Sequence, residues 1–258
     1  MHGVALLDED AGGRFAGSIR RALRDLSERA PLLHAEMTDL ISVVTPLLEA
    51  QAHSSVSSSY VNVRGLIALS HSNDPLLQAE TLIHEFCHMK MNQLLAADPV
   101  LRPGQSGQVY YSPWRPDARR LRGLFLGAHA FLNVARYLAA SLARERYEHT
   151  RRIELMTSVA WRAYQVEGAL RGLTEHGTFT EFGARLLLAL WRELGVLRHA
   201  MLWYPSALLS EQRAVVEKHR REHALADTAL HRDASAFLDL IERPAFQMPP
   251  PPSGEGRP

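Results

Sequence analysis

The clearest helical pattern in the chain lies between Asn73-Asp74-Pro75 and Asp98-Pro99. Leu76, Leu77, Leu82, Ile83, Phe86, Met89, Leu94 and Leu95 fall inside it. They occupy enough sides of a 3.6-residue repeat to predict a helix buried over most of its surface. Asp74 is placed to cap its start, Pro75 suits the first helical position, and Asp98-Pro99 marks its stop.

Upstream, residues 14–49 read as helical, with Ile19, Leu23, Leu26, Leu32 and Leu33 as intermittent apolar positions. The pattern changes over residues 53–70. A run of Ser54-Ser55-Val56-Ser57-Ser58-Ser59 leads into Tyr60-Val61-Asn62-Val63, then Leu66-Ile67-Ala68-Leu69, with Arg64-Gly65 between. That predicts two short strands about a turn. The serines alone suit a solvated linker equally well. Downstream, a loop runs from Arg102-Pro103-Gly104 to Pro116, and Asp117 is placed to cap a helix carrying Leu121, Phe125, Ala128, Phe131, Leu132, Ala135 and Leu138. Further helices are expected through Trp161, over 186–191 and over 213–240. The predicted fold class is mainly α with a small β element (α+β). A single, mostly helical catalytic domain spans 1–247, and a disordered Pro/Gly-rich tail spans 248–258.

Composition narrows the functions more than the fold. The chain has 258 residues, 46% hydrophobic and 22% charged, with a formal net charge of +1. No global basic field argues for nucleic acid or an anionic membrane. Cys87 is the single cysteine, so no intramolecular disulfide can form. The first thirty residues mix acidic and basic side chains and lack the apolar core of a signal peptide. No apolar run approaches the roughly 20 residues that span a bilayer. A cytoplasmic location is the expectation.

The predicted helix carries His84-Glu85-Phe86-Cys87-His88, an H-E-x-x-H motif. A four-residue step turns a helix by about 400°, so both imidazoles leave nearly the same face, about 6 Å apart along the axis. Two neutral imidazoles so placed can grip one Zn²⁺ or Fe²⁺ ion. A chance match in a chain with this histidine content is expected about 0.04 times, which favours a metal pair over two hydrogen-bonded core histidines. Glu80 lies one turn back on that face, placed to orient His84. Cys87 points away and reads as core. In zinc peptidases the glutamate between the histidines is the general base toward a metal-bound water. The extended zincin pattern would put Gly at 91 and His at 94, where this chain has Met91 and Leu94. The motif itself leaves a hydrolase and an oxygenase both open.

A longer set of residues surrounds the motif. Ala79-Glu80-Thr81-Leu82-Ile83-His84-Glu85-Phe86-Cys87-His88-Met89-Lys90 is followed by Tyr110-Tyr111-Ser112-Pro113-Trp114-Arg115-Pro116-Asp117, then Leu121-Arg122-Gly123-Leu124 and Gly127-Ala128-His129-Ala130-Phe131. Over residues 54–137 this resembles the H-E-x-x-H-type 2-oxoglutarate-dependent peptide β-hydroxylases of ribosomal peptide biosynthesis. The resemblance implies an Fe(II) oxygenase that consumes 2-oxoglutarate and O₂ and hydroxylates a β-carbon in a precursor peptide, with a radical SAM maturase of the same pathway as a further partner. Under it Glu85 becomes a supporting residue. His129 is the first choice for a third metal ligand, with Glu154, Glu167 and Asp117 as carboxylate alternatives. Arg115, and after it Arg122, would hold the distal carboxylate of 2-oxoglutarate. Tyr110 and Tyr111 would line the site, Trp114 reads as core, and Asn92 as support. A precursor peptide would add as a strand to an exposed edge near residues 60–69. The competing expectations are a zinc metallopeptidase or amidase with Glu85 as general base, and a non-catalytic helical module that binds peptide.

Overall fold

The computed structural model describes residues 9–47, 57–59, 63–104 and 107–224. Seven α-helices and five short strands appear among them. In chain order they are α1 (Glu9–Arg29), α2 (Pro31–Leu40), β1 (Val43–Pro46), β2 (Ser57–Ser59), β3 (Leu66–Leu69), α3 (Pro75–Ala97), β4 (Val109–Tyr110), β5 (Arg119–Arg120), α4 (Leu121–Arg144), α5 (His149–His176), α6 (Glu181–Ala200) and α7 (Ser206–His223). The expected class, mainly helical with a small sheet, is the one observed.

The expected motif helix is α3. Asp74 caps it, its Oδ1 accepting from the backbone N–H groups of Leu76 at 2.9 Å and Leu77 at 3.5 Å. Pro75 sits in the first turn, and the helix stops at Ala97. Leu82, Ile83, Phe86, Cys87 and Met91 are fully buried, each large apolar side chain contributing about 1.5–3 kcal/mol. Gln78 fixes the start from within. Its Oε1 accepts from Ser72 N at 2.7 Å and from Ser18 Oγ of α1 at 3.3 Å, while its Nε2 donates to Ser70 O at 3.4 Å.

The amino-terminal reading needs correction. Pro31 starts a new helix, α2, which ends at Leu40, and residues 43–46 form a strand instead of continuing the helix. Val43, Val44 and Thr45 are β-branched and stiff at χ1, which favours a pleated strand. Their partner lies more than twenty residues away. β1 pairs in parallel with β3, Val43 opposite Leu66 and Pro46 opposite Leu69. β3 is the expected second strand, and it is central, in the order β1-β3-β2. β2 joins it antiparallel, with Ser57 opposite Leu69 and Ser59 opposite Ile67. The serines at 57–59 are therefore a strand, whereas residues 60–62 of the expected first strand lie outside the described residues. Gly65 turns the chain into β3 at φ +80°, and a Cβ there would come within 2.6 Å of Ser42 Oγ.

Behind the sheet, α3 packs on α4 and α4 on α5. β4 and β5 pair antiparallel, Val109 opposite Arg120 and Tyr110 opposite Arg119, which pinches residues 111–118 into a closed loop before α4. Asp117 does not cap α4. Arg120 occupies that position without a side-chain cap, and Asp117 instead accepts from Arg115 Nε at 2.9 Å and pairs with Arg119 at 3.0 Å. α7 ends at His223; the rest of the helix expected over 213–240, and the tail at 248–258, lie outside the described residues. No helix among the described residues is long and apolar enough to cross a membrane.

Candidate metal centre

His84 and His88 leave the same face of α3, as a four-residue step requires. Their Nε2 atoms are 3.0 Å apart, and the rings meet edge to face with centroids 4.5 Å apart. Burial, the neighbouring His88 and Arg162 push the His84 pKa down to about 3. Burial also lowers that of His88, with the nearby Glu85 carboxylate opposing and Arg122 adding to it. Both rings are therefore neutral at pH 7, the state in which imidazole ligates a metal. Two nitrogens bound to one tetrahedral zinc at ordinary Zn–N lengths lie about 3.3 Å apart. The observed pair is close to that separation, so the two imidazoles suit two neighbouring ligand positions of a zinc ion.

Glu85 is buried, 5% exposed. Its Oε1 accepts a 2.7 Å hydrogen bond from Ser57 Oγ of β2, so the sheet edge holds the carboxylate beside the histidine pair. The serine run offered a polar strand, but nothing in it singled out Ser57 as the partner of a residue 28 positions away.

Aromatic rings of α4 and the 111–118 loop form the opposite wall. Phe131 lies 4.8 Å from the His84 ring, centroid to centroid, and 5.2 Å from Trp114. Trp114 presses on α4 at Gly127, where a Cβ would come within 2.1 Å of its ring.

His129 stands on α4 with its pKa pushed down to about 4 by burial, with Lys90 and His88 among the charges that add to the shift. Its Nδ1 is buried and has no hydrogen-bond partner. It does not complete a three-donor cluster with the α3 pair, and among the described residues no group of three His, Cys, Asp or Glu side chains is arranged to hold a metal. The carboxylates named as alternatives are engaged elsewhere. Glu167 pairs with Arg171 at 2.7 Å and Arg198 at 3.3 Å, Glu154 with Arg151 at 3.2 Å, and Asp117 with its two arginines. Glu80, expected to orient His84, is instead held at 2.6 Å by Arg162 of α5, and burial raises its pKa against the pull of that cation. Cys87 is fully buried with its thiol pushed up to about 12, so it stays protonated and in the core.

Of the remaining candidates only Arg122 acts on the pair, through its charge on His88. Tyr111 O–H hydrogen-bonds His219 Nδ1 of α7 at 2.8 Å, and Tyr110 stacks on His176 with centroids 4.7 Å apart. Arg115, its side chain 55% exposed, is paired with Asp117. Arg122 Nη2 donates to Asn92 Oδ1 at 2.6 Å.

Residues 41–163 match the family model of the IrrE N-terminal-like domain, Peptidase_M78. The match contains β1, β3, the whole of α3 and α4, and the first half of α5. No curated protein matches the chain. The family match overturns the expectation of an iron- and 2-oxoglutarate-dependent oxygenase: the motif helix lies in the segment that matches the Peptidase_M78 model, and the terms oxidoreductase, dioxygenase and hydroxylase fall with it. The short H-E-x-x-H string and its flanks describe a helix face suited to gripping a metal, which both chemistries share, and so could not separate them. With the oxygenase reading gone, the 2-oxoglutarate contacts expected of Arg115 and Arg122 have no ligand to serve.

Proposed function

We propose that the protein is a zinc-dependent hydrolase of peptide or amide bonds, with His84 and His88 holding the metal and Glu85 as general base. The observation that supports it most is the neutral imidazole pair, its nitrogens 3.0 Å apart, next to a buried carboxylate, inside a segment that matches a Peptidase_M78 domain. His129 is not gathered with the pair, but its buried Nδ1 has no hydrogen-bond partner and calls for one; it would serve as a third donor only by shifting toward the metal.

Bound zinc supplies Lewis acidity to a substrate carbonyl and lowers the pKa of a coordinated water toward 7. Glu85 then accepts the proton from the attacking water and returns it to the departing amine. Ser57 keeps the carboxylate aimed, leaving Oε2 for that exchange. Phe131 and Trp114 keep one side of the site apolar, which strengthens electrostatic effects there. β2 is an edge strand beside Glu85, so an extended substrate pairing with it would bring its backbone past the metal.

The test is zinc reconstitution followed by an assay on a mixture of fluorogenic peptides. Wild type should cleave, and Glu85→Gln should keep its zinc but lose about 10²–10⁴ in rate, the range for loss of a general base. His84→Ala should lose both. Full metal occupancy in His84→Ala and His88→Ala, or undiminished cleavage in Glu85→Gln, would overturn the assignment. Zinc bound by a wild type that cleaves nothing in the mixture would turn the case toward the non-catalytic module.

A further inference from the structure

A second histidine pair lies on the opposite end of the chain, on α7. His219 and His223 are four residues apart in its last two turns, with ring centroids 4.5 Å apart. That is the same centroid separation as between His84 and His88. Both rings are half-buried, so solvent and a dissolved ion can reach them. We propose that His219 and His223 form a second divalent-metal site, selective for imidazole-preferring ions such as Zn²⁺ or Ni²⁺, with Tyr111 as its positioning residue.

Three features support this beyond the spacing. First, Tyr111 O–H engages Nδ1 of His219 at 2.8 Å. A ligating imidazole ordinarily has one nitrogen fixed by a neighbour, which orients the ring and presents the other nitrogen to the metal. Here that leaves Nε2 as the donor, with Nδ1–H donating to the tyrosine oxygen once the metal is bound. Second, the site sits at the carboxyl end of an 18-residue helix, where the helix dipole favours a cation. Third, the Tyr111 and His219 rings lie 5.6 Å apart, centroid to centroid, so the tyrosine also packs against the imidazole it holds. Arg220 and Arg221 adjoin His219 in sequence, but one- and two-residue steps on a helix face away from it. Arg220 and Glu217 both act on Tyr111 electrostatically, with opposite signs. Water completes the coordination.

The ion would fasten α7 to the 111–118 loop. That loop carries Trp114, which touches Phe131, which in turn faces His84. The site is independent of the proposed hydrolase chemistry and does not require it.

Equilibrium dialysis with Zn²⁺ alone tests the site on the full chain. His219→Ala/His223→Ala should bind one equivalent less than wild type. The His84→Ala/His88→Ala protein should still bind one equivalent, and adding His219→Ala to it should abolish that binding. Tyr111→Phe should keep the stoichiometry but weaken the α7 site about tenfold, the lower end for loss of a ligand-orienting partner. His219→Gln, at a half-exposed position, serves as the folding control by circular dichroism. The proposal is overturned if zinc stoichiometry is the same in wild type and His219→Ala/His223→Ala. It is equally overturned if the equivalent bound by His84→Ala/His88→Ala survives the added His219→Ala. Neither result bears on the α3 pair, whose loss is read separately.

Discussion

Ser57 on the sheet edge donates a 2.7 Å hydrogen bond to Glu85 on the motif helix. A hydrogen bond to a charged acceptor contributes about 1.5–3 kcal/mol, and water recovers part of it when the hydroxyl is removed. Ser57→Ala should therefore lower kcat about tenfold while zinc content stays unchanged, and Ser57→Thr should restore most of the rate. An unchanged kcat in Ser57→Ala, at equal zinc loading, would mean that Glu85 is held by other contacts.

The Arg162–Glu80 pair joins α5 to the motif helix at 2.6 Å, with only 16% and 14% of the two side chains exposed. Removing the cation strands a buried carboxylate, at a cost of about 3 kcal/mol. Arg162→Ala should lower the urea midpoint accordingly. Arg162→Ala/Glu80→Gln should recover part of the loss, because the amide needs no counter-charge. Equal midpoints for the single and double variants would show that the pair does not act as one.

Gly127 has no room for a methyl group beneath Trp114. The indole cannot move aside without displacing Phe131, 5.2 Å away. Gly127→Ala should destabilise the protein by about 1–3 kcal/mol, the usual range for overpacking. Trp114→Phe in the same chain should relieve it. A thermal midpoint for Gly127→Ala equal to that of wild type would contradict the packing described.

Two half-buried histidines set a pH dependence in zinc-free protein. The pKa values of His84 and His129 fall from the ordinary 6.5 to about 3 and about 4. Between those values and 6.5 the unfolded chain binds more protons than the folded one, so stability rises with pH through that window and is level above it. As pH falls below 6.5 each ring costs up to about 1.4 kcal/mol per pH unit. Thermal midpoints at pH 7.5, 6 and 5 should drop in that order, and His129→Gln should flatten the trend. Zinc should raise all three midpoints, with its effect weakening as protons compete for the ligands. A midpoint independent of pH would refute the buried neutral state.

The parts of the fold legible in the sequence are those whose signals are local. Asp74-Pro75 and Asp98-Pro99 delimit α3 to within a residue, and the histidine pair follows from helical spacing alone. What stayed hidden depends on distant partners. Val43 and Val44 become a strand only because Leu66 and Ile67 pair with them, and Asp117 prefers two arginines to the end of a helix. The resemblance offered Tyr111 as a site residue, yet its partner is 108 positions away on α7. The choice between water and oxygen chemistry was hidden for a different reason: a helix that grips a metal does not encode what the metal will activate.

The loop at 111–114 sets how far the matched segment can be regarded as a portable unit. Pro113 O accepts a 2.9 Å hydrogen bond from Gln165, Pro113 also lies against Gly168, and Tyr111 reaches His219. All three partners lie beyond residue 163, where the family match stops in the middle of α5. A chain severed there would end inside a helix and leave the wall of its candidate metal centre unsupported. Transplanting this candidate centre into another protein would require carrying α5 whole and α7 with it, so the inheritable block is larger than the segment that matches the family model.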